Sequence, residues 1–427
     1  MLRLVFFVTG VAFASLATSV AAFAQATPQP SPSAMPTMPQ PMSSPTAKPA
    51  APVGSPEPSA TPYKLITLTG SSIDSGITTI LNSDRARFVN GNPARVYDGS
   101  NGPFQDYNSS RILAPANDFV NTPVLQHAIL NVNFNGPVIG GRVEYGFGPD
   151  FDATASNGQS HSGSGPIQAY LQAVKGPLTL LVGKFSTLAG AEVIEGALNS
   201  NYSRSYQFGN AVPFTHTGAR LTYAVSPKLS LVFGANNGWD DTKFTGKKKT
   251  LEGSIAITPS AGYGLTLTTY NGSDFAVFGN PAIVSNRMLY DAVLTVHPTS
   301  LLTLVGNYDN GTQLANLPQG FQTAHYNAIE GIATYQFTPK YALSLRKESF
   351  HDINGFRSGI VQRYQSGTAT VNFTPSDKYI FRAEYRLDGS DGNNFTYRNA
   401  ALDPVSGLTA GRAHQPSFGL EGIVKFP

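Results

Sequence analysis

At 427 residues, with 13% charged side chains, 42 Gly, 26 Phe, 19 Tyr, one Trp and no Cys, the chain carries too little charge to wet the surface of a soluble globule of its size. The missing Cys excludes disulfide scaffolds, thiolate zinc sites, iron–sulfur clusters and cysteine nucleophiles. A formal charge of +3, or +2 without Arg3, supplies no basic field for nucleic acid, and beyond the first two dozen residues no run reaches the ~18 apolar residues of a spanning helix.

Residues 1–24 read as a secretory signal peptide: Arg3, an apolar run Leu4–Leu16, then Ala22-Phe23-Ala24 as the small-residue cleavage pattern. Sec-type export with cleavage near Ala24 is therefore expected. Residues 25–62 form a Pro-rich linker, with 12 of the 31 prolines between 27 and 62 and only Lys48 and Glu57 charged. Such a segment has too little apolar area to fold. Extended at ~3.1 Å per residue it reaches on the order of 100 Å, either as a tether towards a cell-wall or periplasmic partner or as a plain spacer.

From residue 63 to 427 the sequence repeats a hairpin. Short turns stand at Pro137, Pro177, Pro227, Pro259, Pro298, Pro339 and Pro375, spaced by 40, 50, 32, 39, 41 and 36 residues. Each is flanked by two stretches of about ten residues, and Gly/Asn/Asp/Ser-rich loops of variable length fill the rest. Within the stretches the period is two: Tyr379, Phe381, Ala383, Tyr385 and Leu387 alternate with Lys378, Ile380, Arg382, Glu384 and Arg386. Ala128–Phe134, Leu229–Ala235 and Phe418–Phe426 alternate in the same way. Strands of about ten residues fit a tilted membrane crossing better than a soluble sandwich. Phe337 and Tyr341, and Phe373 and Tyr379, bracket two of the turns on the apolar face, as a lipid–water aromatic girdle requires.

The predicted fold is all-β, a transmembrane antiparallel β-barrel with short periplasmic turns and long extracellular loops. Seven hairpins, Tyr63–Ser71 before them and Pro416–Phe426 after them give 16 strands. Residues 72–125 are long for one loop, and 18 strands is the alternative if they hide a hairpin. Leu178–Lys184 and Leu301–Tyr308 alternate poorly. Lys347 falls on the lipid-facing parity, which predicts a bulge there or a position already outside the hydrocarbon. The last strand has the form of a barrel-assembly signal, although Pro427 follows Phe426.

If the apolar face meets lipid, the other face lines a lumen. Its charges by parity are Arg142, Glu144, Arg220, Glu252, Asp291, Glu330, Arg346, Glu348, Arg382, Glu384, Arg386, Glu421 and Lys425. Of these, Arg220, Arg346, Glu348, Arg382, Glu384 and Arg386 are the candidate pore wall, where opposed charges select polar solutes; the other reading is a set of salt-bridged ladders that plug the interior. The loop Ser186–Pro213 opens with a helix-compatible run, Ala189–Leu198, and carries Glu192, Glu195 and Arg204. Folded inward it would be a constriction facing the wall arginines; folded outward it would cover the rim.

Other chemistry finds little support. The seven His show no metal-ligand spacing, Asp150/Asp152 and Asp240/Asp241 match no calcium loop, and no cofactor is expected. Ser203 or Ser205 with His216 and Asp240 permits a hydrolase triad on paper, without a nucleophile elbow; the reading is that the chain is not an enzyme. Lys247-Lys248-Lys249 is either a grip for lipopolysaccharide phosphates or a solvated edge.

Residues 183–223, with Gly183-Lys184-Phe185, Glu192, Glu195, Asn201-Tyr202-Ser203-Arg204-Ser205 and Pro213-Phe214-Thr215-His216-Thr217-Gly218, followed by Asn237-Gly238-Trp239, resemble the second β-barrel porin family, described as OmpL-like. The resemblance implies an outer-membrane porin of a Gram-negative envelope, and it names no substrate. The expected function is passive diffusion of small hydrophilic solutes or ions. A barrel hydrolase, or a structural or adhesive barrel tethered through the Pro-rich segment, stands as the alternative. Expected partners are outer-membrane lipid and lipopolysaccharide, the barrel assembly machinery and, through residues 27–62, the cell wall, with no nucleic acid. The expected assembly is a monomer or a homotrimer.

Overall fold

The structure, a computed structural model, describes residues 66–68, 70–80, 123–159, 163–244, 248–275, 284–317, 320–358, 361–391, 395–396 and 411–426. The expected signal peptide, the Pro-rich linker, most of the long segment after the first strand, Lys247 and Pro427 lie outside the described residues.

Alternation of side chains builds one closed antiparallel sheet. Its strands are β1 (Ile66–Leu68), β2 (Ser71–Ile80), β3 (Val124–Phe134), β4 (Ile139–Phe147), β5 (Ser164–Lys175), β6 (Leu178–Ser186), β7 (Thr215–Ser226), β8 (Leu229–Asn236), β9 (Thr250–Ser260), β10 (Tyr263–Phe275), β11 (Val284–Thr299) and β12 (Leu302–Leu317). They continue with β13 (Gly320–Thr338), β14 (Tyr341–Asp352), β15 (Gln362–Ser376) and β16 (Tyr379–Ser390). A short ribbon, β17 (Phe395–Thr396) with β18 (Gly411–Arg412), stands apart, and β19 (His414–Phe426) ends the ring. Each strand pairs with its neighbours in sequence, and β19 closes on β2 with Phe426 opposite Ser71. β1 and β2 both run along β3, so they are two pieces of one stave, interrupted near Gly70 (φ +74°), and the barrel has 16 staves.

All seven Pro turns join consecutive strands on one side of the ring. The prolines at 259, 298 and 375 lie near the ends of β9, β11 and β15, where the ladder opens and no N–H is needed. The first stave differs from its expected place: it continues through Ser71–Ile80, within the stretch read as loop. There the outward positions Ile73 and Ser75 alternate with buried Ser72, Asp74 and Gly76, and this small, polar composition hides a strand from a search for apolar faces.

The burial pattern is inside out relative to a soluble protein. On β16, Phe381 is 47% exposed while Arg382 is 3% and Asp388 0% exposed. An apolar outer wall over a charged interior is stable only against lipid. Phe337, Tyr341, Phe373 and Phe381 stack edge by edge around the turn side of the wall, with neighbouring ring centroids 6.1, 4.7 and 6.2 Å apart. The two strands with weak sequence alternation do alternate. Leu178, Leu180 and Val182 are exposed while Leu181 turns in, and Tyr308 is exposed between buried Asn307 and Asp309. No bulge occurs at Lys347. It pairs without a register shift to Gly331 on β13 and Gly367 on β15, and it projects from the outer face.

Candidate pore constriction

The loop between β6 and β7 folds into the barrel. Its first turn is fixed from β10: the Tyr270 hydroxyl accepts the Leu188 N–H at 2.9 Å and lies 3.1 Å from Thr187 Oγ1. The expected helix over Ala189–Leu198 does not form. Gly190 takes φ +92°, and Asn199 folds its carboxamide onto Val193 N, Val193 O and Glu195 O, which leaves a single 3-10 turn at Gly196–Leu198. The helical turns lie elsewhere. α1 (Pro149–Thr154) sits in the loop after β4, and α2 (Tyr206–Asn210) starts at Ser205, whose Oγ accepts the Phe208 N–H.

Three contacts hold the loop from Asn201 to α2 against the wall. Glu384 takes the N–H groups of Tyr202 and Ser203 on its two oxygens at 2.7 and 3.0 Å, a bidentate anchor that a carboxylate alone can supply. Arg346 donates to Glu192 Oε1 and the Ser203 carbonyl, both at 2.6 Å, while Glu192 Oε2 accepts the Ser205 N–H. Arg386 donates to the Arg204 carbonyl at 2.6 Å and pairs with Asp388 at 2.7 Å. Farther along, Arg382 bridges Glu421 at 2.7 Å and the carbonyls of Gly196 and Asn199. Glu348 receives the Gln207 N–H at 3.3 Å and lies 3.5 Å from Arg386.

Toward the long-loop side the inward face turns apolar. Tyr364 stacks on Tyr206 with centroids 4.5 Å apart, and Leu289, Tyr326 and Phe350 are buried with Phe208, Val212 and Phe214 in one cluster. Sequence reading missed these inward aromatics. The signal was present as Tyr326, Phe350 and Tyr364 on the same parity as Glu330, Arg346 and Thr368, where a water-lined wall would be polar.

The candidate residues thus separate by what they touch. Glu192, Arg346, Glu348, Arg382, Glu384 and Arg386 join the loop to β14–β16 and β19. Arg204 lies on the same loop but directs its guanidinium to the loop carbonyls of Val193, Ile194 and Tyr202, bracing the loop from within. Arg220 pairs with Glu252 at 2.6 Å and stacks over Phe185, on the β7–β9 side. Glu195 reaches the opposite wall, 3.2 Å from Arg142, which also bonds Glu144 at 2.7 Å. Arg142 and Glu195 keep 28% and 16% side-chain exposure, more than any other ion-paired side chain of the lumen described here. Gln168 and Tyr170 on β5, not singled out from sequence, stand opposite Glu144 and Arg142 in the ladder.

The residues of the paper triad are engaged elsewhere. Ser203 Oγ receives Arg346 and Arg386, Ser205 Oγ caps α2, Asp240 Oδ1 accepts the N–H groups of Phe214 and Thr215, and His216 Nδ1 faces the Gly238 carbonyl. Lys249 bonds Asn237 and lies over Phe244.

Solved structures share this architecture. The outer membrane channel DcaP of Acinetobacter baumannii superposes with a TM-score of 0.57 at 12% identity, over 84% of this chain and 97% of that one. An anion-selective porin from Comamonas acidovorans gives 0.53 at 9% identity, over 84% and 99%. OmpT of Vibrio cholerae, in a trimer form, gives 0.51 at 10% identity, over 84% and 99%. At such identities the likeness concerns fold. No curated protein matches the chain by sequence. The decisive match is a family model that spans residues 96–426, from the segment before β3 to the end of β19, and takes in the inward loop with its wall anchors. By that match the chain belongs to the β-barrel porin-2 family, OmpL-like, and is an outer-membrane porin.

Proposed function

We propose that the chain is a non-enzymatic diffusion channel for small hydrophilic solutes and ions, with its narrowest part between the inward loop and β4–β5. The observation that carries this reading is the asymmetry of the loop. It is bonded to β10–β16 and β19 by buried carboxylates and guanidinium groups, while Arg142 and Glu195 retain access on the β4 side. Solutes passing there meet Arg142, Glu144 and Glu195 with the polar Gln168 and Tyr170, a mixed-sign surface that favours hydrated polar molecules over apolar ones.

Reconstituted in a planar bilayer under asymmetric salt, the protein should give stepwise conductance. Glu195→Gln should move the reversal potential towards anions, because it leaves Arg142 opposed by one carboxylate. Absence of conductance steps, or a reversal potential that Glu195→Gln leaves unchanged, refutes the respective part of the reading. Export through residues 1–24 with cleavage near Ala24, a spacer or cell-wall tether in residues 25–62, contact with lipopolysaccharide and assembly-machinery docking through the strand ending at Phe426 belong to the same proposal. The trimer form of the Vibrio cholerae protein supports a homotrimer.

A further inference from the structure

The ring of staves meets once without a connecting turn, where β19 closes on β2. Glu421 stands opposite Gly76 there, and Gly419 is the next inward residue of β19. Both glycines are buried. The ring of Tyr202, from the inward loop, fills the hollow they leave. A Cβ built on Gly419 would lie 2.6 Å from Tyr202 Cδ1, and one built on Gly76 would lie 2.8 Å from Cε2 and from the hydroxyl oxygen. Side-chain carbons do not pack so closely, so this ring and any residue larger than glycine exclude each other. Tyr202 is 2% exposed, and its hydroxyl lies 3.5 Å from Gln126 Nε2 on β3. One edge of the ring therefore rests on the last strand, the other on the first stave, and the tip reaches the next.

We infer that Tyr202 is a positioning residue: its ring keys the inward loop into the β19–β2 seam and thereby sets the width of the passage at Glu195 and Arg142, an inference that rests on that passage being the conducting one. The segment between the acid and the ring is held to the same seam. Arg382, bonded to Glu421, donates to the carbonyls of Gly196 and Asn199, so the residue after Glu195 is fixed beside β19. Arg142 stands on β4, two staves beyond β2, which at 4.7–4.9 Å per strand is about 10 Å around the wall. With the seam end seated, Glu195 comes within 3.2 Å of Arg142. A loop slid off the seam carries Glu195 with it. A tyrosine suits the task because its ring is large and rigid. The hydroxyl adds little, since 3.5 Å is long for a hydrogen bond.

The test is a cycle of four full barrels: wild type, Gly419→Ala, Tyr202→Ala and the double variant. Gly419 is the clean probe. Apart from the ring, its Cβ would meet nothing nearer than the Ile77 carbonyl at 3.8 Å, whereas at Gly76 the Leu420 carbonyl is 3.0 Å away. With the tyrosine present, Gly419→Ala should speed proteolysis of Ser186–Pro213 by roughly tenfold or more and move the reversal potential in asymmetric salt. With Tyr202→Ala it should change neither, because nothing then occupies the slot. Tyr202→Ala alone should speed proteolysis and shift the reversal potential, and Tyr202→Phe should behave as wild type. Equal effects of Gly419→Ala in both backgrounds, or none in either, overturn the inference. So does a cycle seen in proteolysis with the reversal potential unmoved. Where Gly419→Ala loses the heat-shifted gel mobility of a folded barrel, the contrast between Tyr202→Ala and Tyr202→Phe decides, and its absence overturns the role. The proteolysis cycle in a barrel that passes no current would refute the conducting passage and leave the loop keyed to the seam.

Discussion

Removal of the Arg346 guanidinium should release the inward loop while leaving the barrel closed. The side chain is fully buried, with Glu192 and the Ser203 carbonyl at 2.6 Å and Glu330 and Glu348 at 4.0 Å. In Arg346→Met, Glu348 keeps Arg386 and Ser366, and Glu192 keeps the Ser205 N–H, but Glu330 loses its one basic partner among the described residues. Breaking a buried pair from one side costs about 3–5 kcal/mol. At about 1.4 kcal/mol per decade this shifts the balance between pinned and released loop by roughly two to three and a half orders of magnitude. The ladders on either side of β14 involve backbone only and are untouched. Single-channel conductance should therefore rise, and the loop should become open to proteolysis, while the folded barrel still shows heat-shifted mobility. Arg346→Met/Glu330→Gln should recover part of the pinning, because the stranded charge leaves with its partner. Lys347→Met is the control: one residue along, it projects from the opposite face and should leave conductance unchanged. Wild-type conductance and proteolysis in Arg346→Met, or an equal effect in Lys347→Met, would refute the reasoning.

Glu384→Gln removes one of the two acceptors that hold the Tyr202 and Ser203 N–H groups. It should cost about 1.5–3 kcal/mol of loop anchoring, read as faster loop proteolysis at unchanged barrel mobility. Asp240, in the turn after β8, accepts two N–H groups, yet burial outweighs them and pushes its carboxyl up to about 6. A carboxyl raised from its ordinary 3.8 favours the fold when protonated. Its contribution is present below about pH 4 and is lost as pH rises through about 6, at most about 3 kcal/mol. Asp240→Asn keeps an acceptor for both N–H groups and should flatten the dependence of melting temperature on pH between 4 and 7; an unchanged slope would assign that dependence to other groups.

The wall was legible because a strand exposed to lipid on one side and to a lumen on the other writes its faces in period two. The parity of Arg346 and Lys347, adjacent and oppositely directed, could be read without coordinates, and the Pro turns fixed the strand number. The first stave escaped because Ser71–Ile80 meets the same demand with three isoleucines among Ser, Gly, Thr and Asp, which is enough apolar surface beside β19 but too little to register alone. The loop was legible as a composition and not as a path. Glu192 and Glu195 were both foreseen as lumen acids, yet one is spent on Arg346 and the other reaches Arg142, and nothing local to EVIEGAL distinguishes them. What assigns them is the wall. Strands β13–β15 carry Tyr326, Phe350 and Tyr364 on the inward parity, and this apolar arc takes up Tyr206 and Phe208 of α2. Once α2 is seated there, Glu192 lies under Arg346, and the chain running back to β6 presents Glu195 to β4. Side-chain packing at the long-loop end thus determines which acid stays partly exposed: Glu195 beside Arg142, while Glu192 is buried beneath Arg346.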